Sequence, residues 1–435
     1  MFASTSLRRL LPGAAVLLLL ALSLTGCEEG SVTAPEIEQG GDDNTLFRSY
    51  VALGNSITAG FQSGGIVDTT QEASYAALLA EQMNTPFGIP ALNKPGCPPP
   101  FVRFFDDNGV PVQERPSGTT AETCALRASQ IPERVNNVAL PFAAAADATS
   151  NETGNERSAN FAQFFLGGRT MAQAAQDLNP TFATVWLGNN DVLGPATEGS
   201  AVTTPQATFE DEYTQMLDSL EAPGTLKGGV LVGVTNVTFT PFFSPGPVYF
   251  ALSNLPPSQN PFPPNFDVAS NCDAQDPNTG LTPLVPLSFG FGLIGQAQAN
   301  PGQTITLDCG AADTGVLTLT EVGSLVQTVR QYNAFIQQEA QDRGLAYYNP
   351  NGVLQQVYQA NNGTPQVPTD DPIPKFPDTD AAQPFGPFFS LDGVHPSDAT
   401  HRLVASELVG LINSPESEGG YGADLPAVEN VPALP

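Results

Sequence analysis

Positive charge and histidine are what this sequence lacks. Among 435 residues, 15 lysines and arginines face 44 acidic residues, for a formal net charge of -29. Lysine occurs only at Lys94, Lys227 and Lys375. So acidic a surface repels phosphate backbones and anionic headgroups, which argues against a nucleic-acid partner. Histidine occurs only at His395 and His401, and no Cys-x-x-Cys pair is present, so a zinc site has too few ligands. Neither metal nor cofactor is expected. The one long apolar run, Leu10 to Leu24, is short for a membrane span. What is plentiful is apolar residues, at 41%, enough to bury the core of one large domain with insertions or of two domains.

The N-terminus carries an address. Arg8 and Arg9 precede the apolar run, which ends in Leu24-Thr25-Gly26-Cys27. Charged, apolar and small-residue regions in that order mark a secretory signal. Leu-Thr-Gly-Cys resembles the bacterial lipobox, which implies cleavage after residue 26 and a lipidated Cys27. Glu28 and Glu29 follow, where an inner-membrane retention signal would have Asp. The expectation is an exported bacterial lipoprotein anchored in the outer membrane, facing the periplasm or the cell surface. Residues 27–46 read as a flexible tether. Four cysteines remain, Cys97, Cys124, Cys272 and Cys309; an even number in an exported chain suggests disulfides. Three connectivities are open. Pairing nearest neighbours would confine each bridge to one loop-rich region.

Between about residues 47 and 413, apolar runs alternate with helical patterns. Tyr50 to Leu53, Thr181 to Gly188, Gly228 to Val237 and Leu345 to Tyr348 read as buried strands, and Asn137 to Pro141 as a short one. Helices are expected over Glu72–Met83, Thr170–Leu178, Thr208–Leu220, Thr320–Arg343, Val353–Ala360 and Ser397–Ile412. Alternation with unpatterned strands implies an α/β domain with a parallel sheet covered on both faces. Pro- and Gly-rich insertions interrupt it near 84–133, 238–314 and 361–390, and an irregular tail spans 414–435. The second insertion is dense in phenylalanine, which should mostly pack inward rather than line a greasy surface.

Three segments follow predicted strands and carry reactive groups. Gly54-Asn-Ser56-Ile-Thr58-Ala-Gly60 places a serine on a sharp turn. Gly188-Asn-Asn190-Asp191 follows the Trp186 strand. Asp392-Gly-Val-His395-Pro396 precedes the last helix, with a carboxylate spaced to orient an imidazole. His401, on that helix with no partner pattern, reads as a surface position. Together the three blocks resemble those of the SGNH (GDSL) hydrolases.

The resemblance covers about Phe47 to Ile412 and implies a three-layer α/β/α sandwich around a five-stranded parallel sheet, flavodoxin-like in order. It implies Ser56 as nucleophile, His395 as base and Asp392 as its orienting acid. The backbone N–H of Ser56 and the side-chain amide of Asn190 would form the oxyanion hole, with Asn189 and Asp191 holding the loop. The chain departs from the family in two places. Asn55 stands where Asp is usual, and Phe142 stands where a glycine normally donates a third N–H. Phenylalanine enters the left-handed region poorly. The implied function is a serine ester hydrolase, of lipase, esterase or carbohydrate O-deacetylase type. Its substrate would be an ester-containing small molecule, lipid or acylated glycan. The Phe142 departure raises an alternative, a catalytically silent surface lipoprotein that binds glycan or lipid.

Overall fold

Four short strands set the frame of the computed structural model: β1 (Tyr50–Gly54), β2 (Phe182–Trp186), β3 (Gly228–Val232) and β4 (Ala346–Tyr348). They lie side by side in that order, all parallel. The register aligns Tyr50 with Phe182 and Gly54 with Trp186, so the carboxyl ends share one edge. The structure describes residues 45–128, 134–310, 315–360 and 371–435. The expected leader at 1–26, the Cys27 lipidation site and nearly all of the tether lie outside these residues.

Around the strands lie α1 (Ser56–Ala59), α2 (Tyr75–Gln82), α3 (Glu156–Leu166), α4 (Met171–Gln176), α5 (Asn190–Thr197), α6 (Gln206–Glu221), α7 (Leu319–Asp342) and α8 (Asp398–Asn413). Strand side chains alternate between the two faces. Val51, Leu53, Val185 and Leu231 pack beneath α3, α4, α6 and α7. Tyr50, Ala52, Trp186 and Val232 pack against α2 and α8. Two cores on one sheet make the three-layer α/β/α sandwich. Burying each large apolar side chain contributes roughly 1.5–3 kcal/mol. Among the described residues, no helix is long and apolar enough to cross a membrane.

The expected fifth strand is present only as a single bridge, from Asn137 to Ala52. The segment does run parallel to β1: Ala52 N–H donates to Asn136 O (3.0 Å), Val138 N–H to Ala52 O (3.0 Å) and Leu140 N–H to Gly54 O (3.1 Å). It fails to become a regular strand for local reasons. The N–H groups of Asn136 and Asn137 both turn to Gly88 O, and Pro141 has no N–H to offer.

The insertions are better ordered than their composition suggests. The first contains a hairpin, Arg103–Phe105 with Pro111–Glu114, and is closed by a disulfide from Cys97 to Cys124. The second builds a satellite core from helices Gly246–Ser253 and Leu287–Ala299, with Tyr249, Phe262, Phe266 and the Cys272–Cys309 disulfide inside. No helical periodicity shows in these segments because the helices are apolar nearly all round. Its phenylalanines are buried or half-buried, as expected of packing residues. The tail is irregular yet docked: Tyr421 Oη accepts from Gly229 N–H (2.8 Å) and Ala346 N–H (3.2 Å) and donates to Gly229 O (2.7 Å). Gly228 leaves room for that ring, since a Cβ there would lie 2.7 Å from it.

Candidate active site

Ser56 opens α1, a single turn between Asn55 and Gly60. Asn55 caps it, its Oδ1 accepting from Ile57 N–H at 3.1 Å. Gly60 ends it in the left-handed conformation, φ 82°. Gly54 lets the turn fold back tightly, because a Cβ there would lie 2.1 Å from Thr58 Oγ1. Asn55 uses only part of its capacity: its Nδ2 is buried with no protein partner among the described residues.

The three expected residues meet. Ser56 Oγ lies 2.8 Å from His395 Nε2, and His395 Nδ1 lies 2.8 Å from Asp392 Oδ2. Asp392 also accepts from the N–H groups of Val394 (2.9 Å), His395 (2.9 Å) and Gly64 (2.7 Å). Burial alone would push its carboxyl up; the neighbouring His395 and these donors outweigh it and hold the group at about 2. It is therefore ionised, as the orienting member of such a line must be. The other nearby carboxylate, Asp398, serves elsewhere, accepting from Gln62 Nε2 at 2.8 Å.

Two further hydrogen bonds fasten the serine's segment to the histidine's. Ser63 N–H donates to Ser390 Oγ (2.8 Å), and Leu391 N–H donates to Ser63 Oγ (3.1 Å). Sequence reasoning missed Ser63, Gly64 and Ser390. Gly64-Gly65 signals a turn, and nothing in the sequence says what the turn touches.

Asn190 stands at the first position of α5, with its Nδ2 donating to Ala143 O at 2.8 Å. The second hydrogen on that nitrogen is left for another acceptor. Asn189 and Asp191 hold the surrounding loops. Asn189 Oδ1 accepts from Thr235 N–H (2.9 Å); Asp191 accepts from Ala145 N–H (3.0 Å) and Thr204 Oγ1 (2.8 Å). Burial pushes the Asp191 carboxyl up to about 7, against the pull of those two donors.

Phe142 does what its residue type disfavours. Its φ is 68°, in the left-handed region. For a residue with a Cβ this costs roughly 1–2 kcal/mol. Its N–H has no protein acceptor among the described residues. The backbone thus takes the shape a glycine would take.

His401 is a correction. It was expected on the surface of α8; it is fully buried, with Nδ1 accepting from Tyr75 N–H at 3.2 Å. Burial, then the proximity of His395, pushes its pKa down to about 3, so it is a neutral core residue. Its helix position offered no signal, because it is the one polar member of a face otherwise formed by Leu403, Val404, Ala405 and Leu408.

The fold and this line of hydrogen bonds outline a class: a hydrolase with its candidate site at the carboxyl edge of an open parallel sheet. A sequence profile described as GDSL-like Lipase/Acylhydrolase matches residues 50–408, and the chain belongs to that family. It is accordingly a carboxylic ester hydrolase. The silent alternative loses its motive once Phe142 adopts the glycine-like conformation. No curated protein matches the chain. Among solved structures, it is similar to a mutant of Axe2, an acetyl-xylooligosaccharide esterase from Geobacillus Stearmophilus. Identity is 13% and TM-score 0.32, over 82% of this chain and 90% of that one. It is also similar to LAE5, an alpha/beta hydrolase enzyme from the metagenome of Lake Arreo, Spain, with 13% identity and TM-score 0.33 over 84% and 97%.

Proposed function

We propose that the protein cleaves esters of short acyl groups through an acyl-enzyme on Ser56. The observation that carries this reading is the unbroken line from Ser56 through His395 to Asp392, with both links at 2.8 Å. His395 Nε2 takes the hydroxyl proton as Ser56 Oγ bonds to the carbonyl carbon, and the carbonyl oxygen becomes an oxyanion. The N–H groups of Ser56 and Phe142 and the free amide hydrogen of Asn190 receive that charge. Each such donor is worth about 2.7–4 kcal/mol in the transition state. The alcohol departs with the proton from His395. Water then adds by the same route, releasing the acid and restoring Ser56.

The cleft beside Ser56 is walled by Ile57, Leu193, Val237 and Val394, with Thr235 and Thr240 adjoining. It is narrow, which favours acetyl or similarly short acyl groups, including those on carbohydrates. The phenylalanines of the second insertion are taken up by packing, Phe243 in the core beside the sheet, Phe239 on Tyr358, and Phe291 on Phe105 and Phe376, which speaks against a broad acyl-chain surface. We also propose that the protein is an exported lipoprotein, cut before Cys27 and held at the outer membrane by its acylated N-terminus. The support is the Arg8-Arg9 region, the apolar run and the Leu24–Cys27 motif.

A fluorophosphonate probe tests the chemistry. It is expected to label the protein and not Ser56→Ala; no labelling, or equal labelling of both, overturns the reading. A panel of acetyl, butyryl and long-chain esters tests the acyl preference. Faster turnover of long chains would overturn that part alone.

A further inference from the structure

The left-handed Phe142 needs an explanation of how it persists. A disfavoured backbone conformation lasts only where its surroundings over-determine it. Four contacts surround this one. Asn155 Nδ2 donates to Phe142 O at 2.9 Å. The Arg157 guanidinium carbon lies 3.4 Å from the centre of the Phe142 ring. Phe61 meets the same ring edge-on, with centroids 5.3 Å apart, and itself lies 5.0 Å from the His395 ring. Asn190 Nδ2 holds the next carbonyl, that of Ala143.

Two of the four come from one place, the start of α3. Asn155 is its N-cap, with Oδ1 accepting from Ser158 N–H at 3.3 Å. That leaves the Asn155 amide nitrogen for Phe142 O and for Asp147 Oδ2, at 2.7 Å. Asp147 in turn accepts from Ala144 N–H at 2.8 Å. The loop from Phe142 to Ala145 is thus gripped at each residue by a side chain from elsewhere. Arg157 adds a planar cation lying against the Phe142 ring, an attraction between charge and ring quadrupole. A glycine at 142 would need none of this, because it reaches positive φ unaided.

We infer that Asn155 and Arg157 are positioning residues of the oxyanion hole, holding Phe142 left-handed so that its N–H stays available to the oxyanion. Phenylalanine in place of glycine is then tolerated because α3 supplies the clamp. The inference rests on the ester-hydrolase reading above, and the probe separates the two. If the wild-type protein is not labelled, that reading fails before this one is reached.

The test is a double-mutant cycle on a short ester. In the wild-type background, Arg157→Ala is expected to lower kcat about tenfold, equivalent to roughly 1.4 kcal/mol. KM should move less than about twofold, because the donor acts in the transition state. In the Phe142→Gly background, the same Arg157→Ala change should alter kcat by less than about twofold, each ratio being taken within its own background. Asn155→Ser, a neutral cap that sets no second carboxylate against Asp147, is the second variant. It keeps a cap oxygen and loses the N–H to Phe142 O, and the same pattern is expected. Equal losses in both backgrounds overturn the inference. So does a loss confined to KM and recovered by Arg157→Lys, which would make Arg157 a contact for anionic substrate. A folded Phe142→Gly protein that turns over no ester overturns it as well, because the ring itself would then be required.

Discussion

The backbone N–H of Gly64 donates to Asp392 Oδ2 across 2.7 Å, joining residues 328 apart in sequence. Beside it, Ser63 N–H donates to Ser390 Oγ, whose hydroxyl also lies 3.2 Å from Asp392 Oδ1. The loop after Ser56 therefore holds Asp392 at the far end of the line. Ser390→Ala should lower kcat roughly three- to tenfold with KM little changed, since it loosens the group that steers the base. Ser390→Thr, which keeps the hydroxyl, should restore most of it. Steady-state kinetics of the two variants decide; an unchanged kcat in Ser390→Ala would detach the loop from catalysis.

The two histidines should part cleanly. His395→Ala is expected to cut turnover by at least about a hundredfold while leaving thermal stability close to wild type. His401→Ala should do the reverse, costing roughly 2–4 kcal/mol of stability through a cavity and an unpaired Tyr75 N–H. Calorimetry and activity per folded molecule make the comparison. Equal turnover losses would remove His395 from its role.

His401 also has a pH signature. Its folded value of about 3 lies below the ordinary 6.5, so the unfolded chain takes up the proton first. The stability this neutral ring contributes is complete above pH 6.5 and is lost as the pH falls towards 3. Imidazole NMR shifts should show the His401 ring neutral at pH 5. A midpoint near the ordinary value would mean that it is not buried as described.

Asp191 acts in the opposite sense. Its folded value of about 7 lies above the ordinary 3.8, so the folded state keeps a proton that the unfolded state releases. Stability must fall as the pH rises through that window. Asp191→Asn removes the titration, and its melting temperature relative to wild type should climb between pH 5 and 8. A constant difference would show that Asp191 titrates normally.

The Cys272–Cys309 disulfide closes a span of 37 residues inside the second insertion. Replacing both cysteines by alanine should destabilise that region by about 2–4 kcal/mol. Limited proteolysis would then cut within residues 238–310 first. Alkylation without reductant should modify none of Cys97, Cys124, Cys272 and Cys309.

The line from Ser56 through His395 to Asp392, proposed as catalytic, was legible because its residues carry local signals. A serine between two glycines after an apolar run, and an Asp three positions before one of only two histidines, leave few alternatives. The sheet was legible for a similar reason: strands such as Phe182–Trp186 are buried on both faces and show no alternation. What the sequence hid was long-range partnership. Arg157 sits at the start of a helix far from any motif, and only the fold brings it to Phe142. His401 looked exposed because polarity is read residue by residue, while burial is decided by what packs opposite. The helices Gly246–Ser253 and Leu287–Ala299 were masked by their glycines, prolines and uniform apolarity.

Tyr421 ties β3 to β4 with a hydroxyl that makes three hydrogen bonds, and it lies 192 residues beyond the Gly229 it binds. His395 also arrives late, 339 residues after the serine it serves. A nascent chain grown only as far as β3 would therefore hold Ser56 without His395 and its sheet without this cross-link. Hydrolytic competence is deferred until the segment carrying His395 has emerged and folded back onto Ser56.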